Sequence, residues 1–284
     1  MTYQILPYFL LLISILVGWK STIRNSLIIL AIAIISGLFL GRLEPFSLIG
    51  ITILGLSIWI ATKQNQNKYL IMLSYAIFIS IALLHFLHLM PGFYNLPIYQ
   101  AERLSETAIP FTMYLNFDKV LVGLFIYLFF LKTRESNHFD SKNFKTTLIV
   151  LGGLLVFMIP LAILIQYIKW DVKLPEKGWI WFLNNLFFVC LAEEALFRGL
   201  IQKGLMNLLP KKQTYWKYAS LMIASILFGL AHYRGGFSYI ALATVAGIFY
   251  GYSYYKTDRI ESPILVHFGL NLVHFVFFTY PALA

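Results

Sequence analysis

The 284-residue chain is 60% hydrophobic and 17% aromatic, with only 12% of its residues charged and a net charge of +10. A soluble domain of this size would leave large apolar patches facing water, so the composition points to lipid as the solvent. The positive balance is not a nucleic-acid footprint, because no basic cluster is longer than Lys211-Lys212 and loop charges that set membrane orientation account for it.

The N-terminal segment lacks a basic lead and a small-residue cleavage site, so it reads as a first membrane helix and not as a cleavable signal. Apolar runs follow near 3–18, 25–41, 46–62, 69–90, 120–131, 146–168, 178–200, 218–232, 237–255 and 260–279. They predict an all-α, polytopic transmembrane bundle of about eight to ten helices, the shorter runs being tilted or re-entrant. Residues 1–119 read as accessory membrane helices with a long loop, and 120–284 as the helices that carry the motifs.

Under this division the odd-numbered loops, Arg134, Lys211 and Lys212 among their residues, hold twice the basic residues of the even ones. That bias places the odd loops in the cytoplasm and both termini outside. The stretch 91–119, with Pro91, Pro97 and Pro110, is the longest break and reads either as a lid or re-entrant element or as a plain connector.

The informative residues are those that lipid disfavours. A charge at a helix centre costs about 2.5–3.5 kcal/mol on insertion scales, so each one needs a partner or a role. The seventh run carries Glu193, Glu194 and Arg198 within six positions after a long apolar approach. Glu194 and Arg198 stand four apart, acid first, which favours an ion pair on one helix face. Glu193 points about 100° away, with apolar Leu196 and Phe197 at i+3 and i+4. A carboxylic acid in so apolar a setting suits a general base, so Glu193 is the candidate for chemistry and Glu194 for structure.

Two later runs supply partners. The eighth ends Phe228-Gly-Leu-Ala-His232, and the tenth contains His267-Phe-Gly-Leu-Asn271, a stripe that His274 extends. Together with Glu193 these residues form one polar cavity if the helices converge. Plainer roles stand beside this one: interhelical hydrogen bonding for a lone His, glue for Asn271, and snorkelling to the surface for Arg198. The sequence lacks His-Glu-x-x-His and Gly-x-Ser-x-Gly, and Cys190 sits in apolar surroundings that blunt a thiol. His85 and His88 read as packing or interface residues, with a ligand role as the alternative.

In order, Glu193-Glu194-Ala-Leu-Phe-Arg198, Phe228-Gly-Leu-Ala-His232 and His267-Phe-Gly-Leu-Asn271 resemble the three motifs of the CAAX-protease and bacteriocin-processing (Abi) family of intramembrane proteases. The resemblance covers roughly 146–280. It implies a membrane-embedded glutamate-type endopeptidase of a bacterial or archaeal cytoplasmic membrane. Glu193 would activate water with help from His232, while His267 and Asn271 stabilise the oxyanion; Glu194, Arg198 and Phe228 give structural support.

No cofactor is expected on this reading. Zinc on Glu193, His232 and His267 is the alternative, but amides are poor zinc ligands and good oxyanion donors, which favours the metal-free form. The expected partners are the bilayer and a membrane-associated or lipidated protein or peptide, entering laterally from lipid or past 91–119, and no nucleic acid. The competing classes are a non-catalytic scaffold or immunity protein and a transporter, whose internal repeats are not visible here.

Overall fold

The computed structural model describes residues 2–63, 66–132, 138–208 and 215–284. Arg134, Lys211 and Lys212, counted above for orientation, lie outside the described residues. Among the described residues, ten helices and one strand pair make the fold all-α. The helices are α1 (Leu6–Lys20), α2 (Ile23–Phe39), α3 (Ser47–Thr62), α4 (Lys68–Phe86) and α5 (Phe117–Phe125, continuing through Ile126–Leu131). After these come α6 (Ser141–Leu164), α7 (Gly178–Asn207), α8 (Tyr215–Ala231), α9 (Gly236–Thr257) and α10 (Glu261–Phe277).

Tyr3–Lys20, Lys68–Phe86, Ser141–Leu164 and Gly178–Asn207 are long and apolar enough to cross a bilayer, as an integral membrane protein requires. Several helices begin at side-chain caps. Thr22 Oγ1 accepts from Asn25 N, Asn67 Oδ1 from Tyr69 N, and Asp140 Oδ1 from Asn143 N. Asp140 explains why α6 starts five residues before the apolar run does: Ser141-Lys142-Asn143 is polar but capped, and therefore helical.

The 91–119 stretch is not a structureless loop. It contains β1 (Leu96–Glu102) and β2 (Phe111–Leu115), paired in one two-stranded sheet whose short connection makes the strands antiparallel.

Contacts divide the chain into two compact units. The first holds residues 1–98, 113–134 and 187–192, and the second holds 99–112, 135–186 and 193–284.

In the first unit, small polar residues bring helices close. Ser14 Oγ donates to Ser26 O at 2.9 Å and Ser26 Oγ donates to Ser14 O at 2.8 Å, joining α1 to α2. A Cβ on Gly123 of α5 would lie 2.5 Å from Ala192 Cα, so this crossing depends on glycine.

In the second unit, α6, α8, α9, α10 and the C-terminal half of α7 pack together. Thr147 and Ser262 hydroxyls meet at 2.7 Å between α6 and α10. Trp181, near the start of α7, stacks on Phe275 of α10 at 3.9 Å. The C-terminal residues bridge back, Phe278 to Trp170 and Leu283 to Ala108.

Gly123→Ala pushes a methyl group into helix backbone that cannot rotate away. It should destabilise the protein by about 1–3 kcal/mol, read as a lowered thermal midpoint in detergent. Gly152→Ala, where an added Cβ meets nothing within 4 Å, should not.

Candidate active site

Every residue of the site lies in the second unit. Helix α7 positions its acids in an unusual way. Hydrogen bonding widens to i→i+5 over Asn184–Cys190, returns to an α-turn over Leu191–Glu194, and widens again over Ala195–Gln202. Such widened turns are often found at functional sites. Within the second one, residues four apart come closer to eclipse than in a regular α-helix.

Glu194, Arg198 and Gln202 therefore form one file, and all three are fully buried. Arg198 Nε donates to Glu194 Oε2 at 3.0 Å. Its guanidinium lies 5.3 Å from the Phe228 ring centre and 6.0 Å from that of Tyr250. Arg198 is thus enclosed, and it does not snorkel. Helix α9 makes room for the file through two glycines. A Cβ on Gly247 would meet Arg198 Nη2 at 3.3 Å, and one on Gly251 would meet Gln202 Oε1 at 2.8 Å. Gln202 Nε2 donates to the Gly251 carbonyl at 2.9 Å.

Glu194 has a second partner that its own helix does not disclose. His267 Nδ1 lies 2.9 Å from Glu194 Oε1, and since a carboxylate accepts, Nδ1 carries the proton. Tyr250 stacks on the His267 ring at 4.5 Å and 14°, and Phe228 meets it edge-on at 5.7 Å.

Glu193 faces elsewhere. Its Oε2 is 4.0 Å from His232 Nε2, with the glutamate buried and the histidine side chain 20% exposed. His232 Nδ1 is 2.7 Å from the Phe228 carbonyl, which can only accept. The Nδ1 proton is therefore committed there, and Nε2 is the atom turned to Glu193. Phe228 lies 4.6 Å from the His232 ring, so its side chain touches both motif histidines.

Glu193 and His232 are thus brought together, as are Glu194, Arg198 and His267. Asn271 follows His267 by one turn and donates from Nδ2 to Asn185 Oδ1 at 3.2 Å. Asn185 had no assigned role in the sequence, although an Asn-Asn pair in an apolar helix was the available signal. Tyr250 was missed as well, one of many aromatics along α9. His274 turns to the C-terminal segment, with Nε2 3.0 Å from Thr279 O. Cys190, fully buried, belongs to the first unit, as do His85 and His88. There, His88 Nδ1 meets Asp118 Oδ2 at 2.7 Å.

Zinc would require Glu193, His232 and His267 to converge on one point. Among the described residues no group of three His, Cys, Asp or Glu side chains is placed to hold a metal ion.

Glu194→Gln or Arg198→Ala leaves a buried charge without its counter-ion, at a cost of about 3–5 kcal/mol. Both variants should melt far below wild type in detergent, whereas His232→Ala, at a partly exposed position, should melt close to it.

No curated protein and no solved structure matches the chain. Residues 175–273 match the family model described as type II CAAX prenyl endopeptidase Rce1-like. That span covers all three motifs, from Glu193 through Asn271. Over these residues the chain is similar to the Rce1-like family of CAAX endopeptidases.

Proposed function

We propose that the protein hydrolyses a peptide bond of a membrane-associated or lipidated protein, using water activated by Glu193. The observation that carries this reading is the 4.0 Å separation between Glu193 Oε2 and His232 Nε2, with His232 Nδ1 held by the Phe228 carbonyl. The gap is too long for a direct hydrogen bond and suits one bridging water. Such a water donates to both groups and keeps a lone pair for attack.

The steps follow from these positions. Glu193 takes a proton from water as the hydroxide oxygen bonds to the scissile carbonyl carbon, whose C=O electrons move onto oxygen. The tetrahedral oxyanion then collapses and the C–N bond breaks. The proton held between Glu193 and His232 passes to the departing nitrogen, which leaves as a neutral amine.

His267 and Asn271 are the motif donors for the oxyanion. Because His267 Nδ1 donates to Glu194, a second donation through Nε2 requires the doubly protonated ring. Glu194, between Arg198 and His267, is the anion that accompanies that cation. The metal-free form accords with Asn271 as a donor, since an amide is a poor zinc ligand.

A purified sample and a farnesylated peptide bearing a CAAX tail provide the test. Glu193→Gln should lower kcat by about 10²–10⁴-fold while the thermal midpoint stays near wild type; undiminished cleavage would sink the proposal. Exhaustive treatment with EDTA and phenanthroline should leave activity intact. Loss of activity that returns with added zinc would overturn the metal-free form.

A further inference from the structure

The glutamate reading leaves the substrate's carbonyl oxygen in need of donors, and the two motif donors are partly engaged within the protein. His267 gives its Nδ1 proton to Glu194, and Asn271 gives one amide proton to Asn185. Another donor stands beside His232. The Tyr239 ring, on the second turn of α9, lies 5.2 Å from the His232 ring at 87°.

Three features hold this ring in place. Tyr167, in the segment after α6, stacks on it at 6.0 Å with the planes within 6°. The turn between α8 and α9 lies flush against it, so that a Cβ on Gly235 would collide with the ring edge and come within 2.8 Å of Tyr239 Cβ. Gly236 then enters α9 with φ +82, a left-handed conformation that suits glycine. The position of Tyr239 relative to His232 is thereby set by a turn that admits few side chains.

The hydroxyl, by contrast, has no hydrogen-bond partner among the described residues, and the residue is half-buried. A held ring beside a catalytic pair, with its one polar atom uncommitted, is an arrangement that donates to something arriving from outside.

We propose that Tyr239 is a catalytic residue of this endopeptidase, donating its phenolic O–H to the scissile carbonyl oxygen as that oxygen becomes an oxyanion. The inference rests on the Glu193–water reading. The phenol keeps its proton throughout: one hydrogen bond forms and shortens as charge builds, and no covalent bond to tyrosine is made or broken. The donor acts mainly in the transition state, so its removal lowers kcat more than it raises KM.

The test is Tyr239→Phe in the full chain, which deletes one oxygen and keeps the ring against Tyr167, His232 and Gly235. With the farnesylated CAAX peptide as probe, kcat should fall about 100-fold while KM and the shape of the pH–rate profile change little. The melting temperature should remain at the wild-type value. A kcat within twofold of wild type, or a loss carried entirely by KM, overturns the assignment. If Glu193→Gln is dead while Tyr239→Phe runs at full rate, the Tyr239 role alone is lost. If Glu193→Gln cleaves as well as wild type, or the wild-type protein leaves the probe intact, the hydrolase reading fails and takes this role with it.

Discussion

A single buried carboxylate organises the second unit. Glu194 accepts from Arg198 on its own helix and from His267 on α10, at 3.0 and 2.9 Å, with the acid and the guanidinium both shielded from solvent. Removing an ion from water costs several kcal/mol, so a carboxylate here is tolerable only with this full set of donors. The same need fixes α7 and α10 relative to one another. Phe228 and Tyr250 close the arrangement, each lying near the Arg198 guanidinium and against the His267 ring.

Adjacent acids on one helix thus acquire different chemistry from their surroundings. Glu194 is saturated by strong donors and its charge is occupied in holding the bundle. Glu193, one residue earlier, points to a histidine whose other nitrogen is already tied to backbone. Two similar carboxylates with dissimilar partners can be set apart in this way by their surroundings alone. The aromatic residues give the division rigidity, because Phe228 touches both histidines and cannot move for one without disturbing the other.

Much of the fold could be read from the sequence because lipid imposes a simple rule: every spanning segment must be apolar and helical. The ten apolar runs coincide with the ten helices for that reason. The errors lie where hydropathy is silent. Helix α5 begins at Phe117, three residues before its apolar run, and α6 begins at Ser141 because Asp140 caps a polar first turn. The strand pair within 91–119 is short, broken by Pro97 and of mixed polarity, so neither periodicity stands out. At the site, spacing alone placed Arg198 with Glu194. It could not show that His267 also reaches Glu194, since helices more than seventy residues apart in the chain carry no mutual register in one sequence. Asn185 and Tyr250 were hidden for the same reason, as polar and aromatic residues in segments where such residues are plentiful.

The widened turns of α7 explain how one helix serves both acids. A regular α-helix rotates a residue four positions on by about 40° relative to the first, so Glu194, Arg198 and Gln202 would drift across its surface and a buried polar file would become a spiral. Hydrogen bonding of the i→i+5 kind over Ala195–Gln202 removes much of that drift and keeps the file facing one groove. Gly247 and Gly251 of α9 supply the groove, because any side chain there would meet Arg198 or Gln202. Glu193 precedes the widened stretch, inside the short α-turn Leu191–Glu194, and so keeps its own direction toward His232. A local change of helix pitch therefore separates the acid that holds the bundle together from the acid that faces His232.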